Sequence, residues 1–151
     1  MLKVISGGQT GADRAGLDAA WELGLETGGT APNGYRTDAG SDLTLKALGL
    51  IEHPSPGYRA RTIQNVHDSD GTAWFGNPQS PGGRLTLRTV MDIGKPFIIN
   101  PTAAELRLWL VQEGIEILNV AGNRERTNPG IYERVKQIVK EALSHAETPQ
   151  G

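Results

Sequence analysis

Apolar residues along this chain fall into short runs that alternate with segments of helical periodicity from the first residues to the last. Residues 2–6 form an apolar run that predicts a strand. Residues 13–23 follow with Ala15, Leu17, Ala19, Ala20 and Leu23 at mostly helical spacing and Gly24 as a stop. Residues 27–41 are rich in Gly, Pro, Asn and Asp and have almost no periodicity, so they read as a long structured loop reaching over a site. A short strand over 48–52, a turn at Pro54, Pro56 and Gly57, and a helix over 58–67 come next. Residues 72–75 predict a buried strand entered through Asp68-Ser69-Asp70-Gly71, and 77–83 a second Pro/Gly loop. Leu85, Leu87, Val90, Met91 and Ile93 mark a helix closed by Gly94 and Pro96, and 96–100 a strand. Thr102 and Glu105 match a capping box for a helix ending at Gln112 or Glu113, and 115–120 gives a further strand. Asn128 and Pro129 open a last helix through Ser144, and residues 145–151 read as a frayed polar tail.

Short apolar strands alternating with helices predict an α/β, Rossmann-like three-layer fold with a mainly parallel sheet and helices on both faces. A length of 151 residues fits one domain of roughly 100–150 residues, taken as 1–146 with a tail at 147–151. The chain has no cysteine, which excludes disulfides, thiolate metal sites and thiol nucleophiles. It shows no signal-peptide run and no apolar stretch near the ~20 residues that span a bilayer, so a cytoplasmic protein without a membrane partner is expected. Fifteen basic against seventeen acidic residues argue against nucleic acid as a partner.

In open α/β sheets, ligands bind beyond the carboxyl ends of the strands, and the Gly-rich turns fall there. In Gly7-Gly8-Gln9-Thr10-Gly11-Ala12-Asp13, the glycines would let the backbone approach a bound group while Gln9 and Thr10 add donors, a cradle suited to an oxyanion such as phosphate. The stretch has neither Gly-x-Gly-x-x-Gly spacing nor a P-loop ending, and a plain strand-to-helix turn with Asp13 as cap is the alternative. Gly82, Gly83, Arg84 and Thr86 would face the same anion from a second turn, and Asn119, Gly122 and Arg124 from a third. Arg36 is a candidate clamp from the long loop. Arg61 and Asn65 share a helix face that can reach the ligand. Asp68 and Asp70 either act as an acid/base pair, hold Mg²⁺, or organise a turn, and Asp70 is expected among the ligand-binding residues. His53, His67 and His145 show no metal-ligand spacing.

Three blocks in order carry a resemblance over nearly the whole chain: Ile5 to Ala15; Arg61-Thr62 with Asn65-Val66 and Asp68 to Thr72; and Leu118 to Gly122 with Pro129 to Tyr132. Together they resemble the molybdenum carrier proteins, a Rossmann-like family related to the lysine-decarboxylase-like phosphoribohydrolases and the DNA-processing protein fold. The resemblance implies binding of molybdenum cofactor for storage, protection and delivery to molybdoenzymes, with the cradle on its phosphate, and a homo-oligomer. Two other readings stay open: a nucleotide-binding sensor module and a nucleoside-monophosphate phosphoribohydrolase. The hydrolases' Pro-Gly-Gly-x-Gly-Thr-x-x-Glu is followed from Pro81, but Leu85 stands at the third glycine and Thr89 at the catalytic glutamate, which favours binding over turnover. Removing Thr10 and Arg61 side-chain groups is expected to weaken binding and leave the fold intact.

Overall fold

A computed structural model describes residues 2–146; the tail expected at 147–151 lies outside them. In chain order the elements are β1 Lys3–Ile5, α1 Ala12–Glu22, β2 Glu26–Ala31, a 3-10 turn Asn33–Tyr35, β3 Arg36–Thr37, β4 Gly40–Ser41, α2 Thr44–Ala47 and β5 Leu50–Glu52. They continue with α3 Tyr58–Asp68, β6 Gly71–Phe75, α4 Pro81–Ile93, β7 Phe97–Ile99, α5 Ala103–Gln112, β8 Ile117–Gly122 and α6 Ile131–Ala146. The six-stranded sheet has the order β5-β2-β1-β8-β6-β7, and every pairing in it is parallel. The expected Rossmann-like α/β architecture is therefore present.

Alternation along the strands divides the helices between two faces. Ala73, Phe75, Leu118 and Val120 join the main core with residues of α1, α5 and α6. Trp74 points the other way, where its ring underlies Gly82 at the start of α4. On that face Asn65 of α3 clasps β2, its Oδ1 accepting from the Thr30 amide at 2.9 Å and its Nδ2 donating to the Thr30 carbonyl at 2.9 Å. A second small core of Leu17, Ala31, Tyr35, Leu45, Leu48 and Leu50 supports the segment that carries β3 and β4.

Several elements differ from the expectation. The long loop over 27–41 contains β2, an interior strand between β1 and β5, followed by the β3–β4 hairpin. Two adjacent glycines hid it. At Gly29, φ is +123° and a Cβ would lie 2.2 Å from the Ser6 carbonyl oxygen, so the strands lie too close there for any side chain. Helix α4 begins at Pro81 rather than Leu85: Ser80 caps it by accepting from the Gly83 amide at 3.2 Å, so Gly82 and Gly83 form its first turn instead of a loop. Strand β8 ends at Gly122, two residues beyond the expected 120, and α6 runs to Ala146 past the expected end at 144. Strands β5 and β7 are the sheet edges and are only partly covered, with Ile51 65% and Phe97 38% exposed. The capping box on α5 forms as expected, with Thr102 and Glu105 exchanging both bonds.

Asp70 lies at the amino-terminal rim of the sheet, and its Oδ2 accepts from the amides of Glu116 at 3.1 Å and Ile117 at 2.8 Å. That is the rim opposite the Gly-rich turns, so the ligand-binding role expected of Asp70 does not hold; it ties β6 to the entry of β8. Asp68 bonds Gln64 on its own helix. Among the described residues there is no group of three acidic or histidine side chains placed to hold a metal. Asp70→Ala is expected to lower unfolding stability by about 1–2 kcal/mol, the range for hydrogen bonds to a charged acceptor that water partly replaces, with no change in anion affinity. Urea unfolding and calorimetry on one preparation check both halves; altered affinity would return Asp70 to the site.

Candidate functional site

The carboxyl ends of β1, β6 and β8 face one cleft of about 560 Å³, lined by Gln9, Tyr58, Arg61, Thr62, Trp74, Ser80, Pro81, Gly82, Leu85, Gly122, Asn123, Arg124 and Thr127. The three expected turns therefore converge on one cavity, each contributing at least one residue. Its size falls within the range of small-molecule sites.

The first turn works differently from the expected cradle. Its amides are engaged inside the protein: Gly8 donates to Ser6 Oγ, Thr10 to Gln9 Oε1 and Ala12 to the Asn123 carbonyl. Asp13, only 2% exposed, takes the place the cradle would have offered a ligand, accepting from Gln9 N at 3.4 Å and from the amides of Gly7 and Gly122. The glycines make room for protein atoms. A Cβ on Gly7 would lie 2.2 Å from Arg61 Nη1, one on Gly8 2.6 Å from Leu45 Cδ1, one on Gly11 2.4 Å from the Asn123 carbonyl, and one on Gly122 2.1 Å from the Phe75 carbonyl. Gly83 is likewise closed off by the Pro78 carbonyl at 2.6 Å. Gly82 alone of these meets nothing closer than the Trp74 ring at 3.7 Å, and it lines the cleft.

What the turn does offer is the Gln9 side chain. Its Oε1 accepts from the Thr10 amide at 2.9 Å and the Asp38 amide at 2.8 Å, which fixes the orientation of the amide group and leaves Nε2 as the free end. Gln9 Nε2, Arg61 Nε and Trp74 Nε1 are the buried side-chain nitrogens or oxygens among the described residues that have no hydrogen-bond partner, and all three belong to residues lining this cleft. An unmet buried donor costs about 1–3 kcal/mol, so three around one cavity are unlike ordinary core packing.

Charge reinforces them. Arg36, Arg61 and Arg124, from three separate segments, hold their guanidinium carbons 5.5, 5.4 and 5.6 Å from the centre of the Tyr58 ring. Arg61 Nη1 is 3.2 Å from Asp13 Oδ2, in a pair whose side chains are 11% and 3% exposed. Burial pushes the Asp13 carboxyl above its ordinary value, outweighing Arg61 and the three amides. Arg124 and Arg126 share Asp38 at 3.0 and 2.8 Å; burial works to raise the Asp38 pKa, but the two guanidiniums outweigh it and hold it low. Asp38 thereby fastens the β3–β4 hairpin beside the cleft.

Of the expected site residues, Gln9, Arg61, Gly82, Gly122 and Arg124 line the cleft, and Arg36, outside the lining, stands over the ring of Tyr58, which is part of it. Thr10 and Gly11 line a neighbouring cavity with Arg14, Asp38 and Arg126. Gly7, Gly8, Asp13 and Gly83 are packed beneath the walls. Asn65, Thr86 and Asn119 are buried in the α3/α4 layer, Asn119 donating to Thr72 Oγ1 at 3.2 Å. Because Arg61 neutralises a buried carboxylate, removing it disturbs the core, contrary to the expectation that its loss spares the fold. Tyr58, Trp74 and Asp38 were missed. Tyr58 and Trp74 are aromatic in a chain with three Trp and three Tyr, one opening a helix and one close before a Gly-rich turn, and that placement was the available signal.

The family model described as the circularly permutated YpsA SLOG family matches residues 4–143. A solved structure from Syntrophus aciditrophicus SB, named putative molybdenum carrier protein, is 32% identical and superposes with a TM-score of 0.83, over 98% of this chain and 96% of that one. No curated protein matches.

Proposed function

Since this chain belongs to the circularly permutated YpsA SLOG family, we propose that its cleft binds an anionic, phosphate-bearing small molecule, and that the molecule is molybdenum cofactor, held for storage, protection and delivery to molybdoenzymes. The observation that carries this reading is the set of unpartnered donors on Gln9, Arg61 and Trp74, set in a cleft ringed by arginines: an oxyanion supplies the acceptors they lack. The Trp74, Tyr58 and Leu85 side chains give an apolar wall for a heterocycle. The solved relative's name supports the choice of cargo. A donor set without sulfur or imidazole suits a ligand whose metal keeps its own dithiolene and is gripped through phosphate and ring. Binding is favoured over hydrolysis because the position of the hydrolase glutamate is Thr89, whose hydroxyl donates to the Leu85 carbonyl at 2.7 Å within α4. Exposed Met91, Phe97, Ile99, Leu108 and Val111 on α4, β7 and α5 support a homo-oligomer.

The test is mass spectrometry with metal analysis on protein purified from its host. A pterin with molybdenum is the expected result; a co-purified nucleotide would replace the carrier with a nucleotide sensor. Incubation with nucleoside monophosphates is expected to release no free base, and steady release would establish a hydrolase instead.

A further inference from the structure

The polar groups of the cleft are unbalanced in one direction. Its lining contains no aspartate or glutamate. Most of the acceptors it does contain are taken, the neutral hydroxyl oxygens of Tyr58, Thr62 and Thr127 being the exceptions. Gln9 Oε1 holds two amides, and Asn123 Oδ1 accepts from Asn77 N at 2.7 Å and Asn128 Nδ2 at 3.4 Å. Ser80 Oγ accepts from Gly83 N and Asn123 Nδ2 while donating to the Asn77 carbonyl. The Thr62 and Thr127 hydroxyls direct their protons to the carbonyls of Tyr58 and Arg124, leaving only neutral, weak acceptors. The two carboxylates behind the walls, Asp13 and Asp38, are bound by Arg61 and by Arg124 with Arg126. Against this stand three buried N–H donors with nothing to donate to. The neighbouring cavity shows the contrast, with Asp38, Glu125 and Glu133 all in its lining.

We infer that the cleft takes its anion only in the fully deprotonated state, as a tetrahedral oxyanion with no O–H: a phosphate monoester dianion, or an inorganic dianion such as sulfate. A protonated phosphate turns one O–H toward N–H donors or arginines, where it meets donors and loses one negative charge, with no charged acceptor to receive it. This specificity rests on the anion-binding reading above and adds to it which ionisation state is selected.

The groups that face the cleft from its surrounding elements are Arg36, Arg61, Arg124 and Tyr58, with Asp13, Asp38 and Arg126 behind them. The histidines of the adjoining segments lie apart from it: His53 Nδ1 accepts from Ser55 N, and His67 is in the last turn of α3. Sulfate stays a dianion across the working range, so it reports any titration of the protein, while a phosphate monoester changes charge near pH 6. Calorimetric titration of the full chain with sulfate and with phenyl phosphate at pH 5.0 and 7.5 separates the two effects. The ratio of phenyl phosphate affinity to sulfate affinity is expected to fall about tenfold at pH 5.0, in step with the dianion fraction. A ratio unchanged with pH, both anions binding, overturns the inference and leaves the anion site standing; failure of both anions to bind overturns inference and site together.

A second variant tests the donor argument. Gln9→Glu keeps one oxygen on the Thr10 and Asp38 amides and puts an acceptor where Nε2 was. Sulfate affinity is expected to fall by more than about 30-fold, against a loss below about 5-fold for phenyl phosphate at pH 5.0, where the new carboxylate receives the ligand's O–H. Equal losses for the two anions would overturn the inference.

Discussion

Arg61→Ala is expected to cost the protein about 3–5 kcal/mol of stability at neutral pH, because it leaves the Asp13 carboxylate buried without its counter-charge. The loss carries a pH signature. Burial already places the folded-state pKa of Asp13 above the ordinary aspartate value of 3.8, and removing Arg61 takes away an interaction that lowers it. The folded variant then holds a proton that the unfolded chain releases near pH 3.8. An acid whose folded pKa is raised lowers unfolding stability as pH climbs from the unfolded value through the folded one. The variant should therefore be weakest at pH 8 and recover toward pH 5, with a steeper slope than the wild-type chain. Urea unfolding at the two pH values measures this. Asp13→Asn combined with Arg61→Met, which removes both charges at similar volume, should restore most of the loss. A flat pH dependence in Arg61→Ala would show that Asp13 is not the buried partner it is taken to be. The same pair explains Gly7, where the Arg61 guanidinium fills the space a Cβ would need, and it occupies with Asp13 the room that sequence reasoning had reserved for a ligand.

The second large effect lies in the sheet. Gly29→Ala should destabilise by about 4 kcal/mol, combining a φ of +123° that side chains avoid with a Cβ placed 2.2 Å from the Ser6 carbonyl oxygen. Neither strand can yield easily, since the contact is backbone against the junction of β1 with the site turn, and Ser6 N donates to the Gly28 carbonyl at 3.2 Å. The variant is expected to unfold at markedly lower urea concentration, or to be recovered only as aggregate; Gly34→Ala, where φ is +79° but no atom lies within 4 Å of the added Cβ, should cost much less. Near-equal losses would mean that conformation alone, not the close approach of β2 to β1, makes Gly29 necessary.

Gly29 also shows where sequence reading stopped. The strands legible in advance, around β1, β6 and β7, are apolar runs with ordinary side chains, and the capping box on α5 states its own geometry. Strand β2 reads Glu-Thr-Gly-Gly-Thr-Ala, and its glycines are there for contact with β1, a reason that exists only once the two strands are side by side. Ser80-Pro81 is a good helix start, but Gly82-Gly83 after it resembles a loop until the Ser80 cap is seen closed on Gly83. The carboxyl-end location of the cleft and the contributions of Gln9, Arg61, Gly82 and Arg124 were legible because they follow from the α/β alternation and from residue chemistry at the turns. Asp70 was misplaced because an acidic residue between a helix and a strand looks the same at either rim of the sheet.

By itself, then, the sequence determined the alternation of strands and helices, the parallel class of the sheet and the rim at which polar turns collect, all of which depend on local periodicity and chain direction. The tertiary structure alone decided which glycines serve packing, that Asp13 and not a ligand fills the first turn, and that Tyr58 and Trp74 join three arginines around one cavity. Those outcomes depend on distances between residues far apart in the chain, and on which donors are left without partners after every nearby acceptor has been taken.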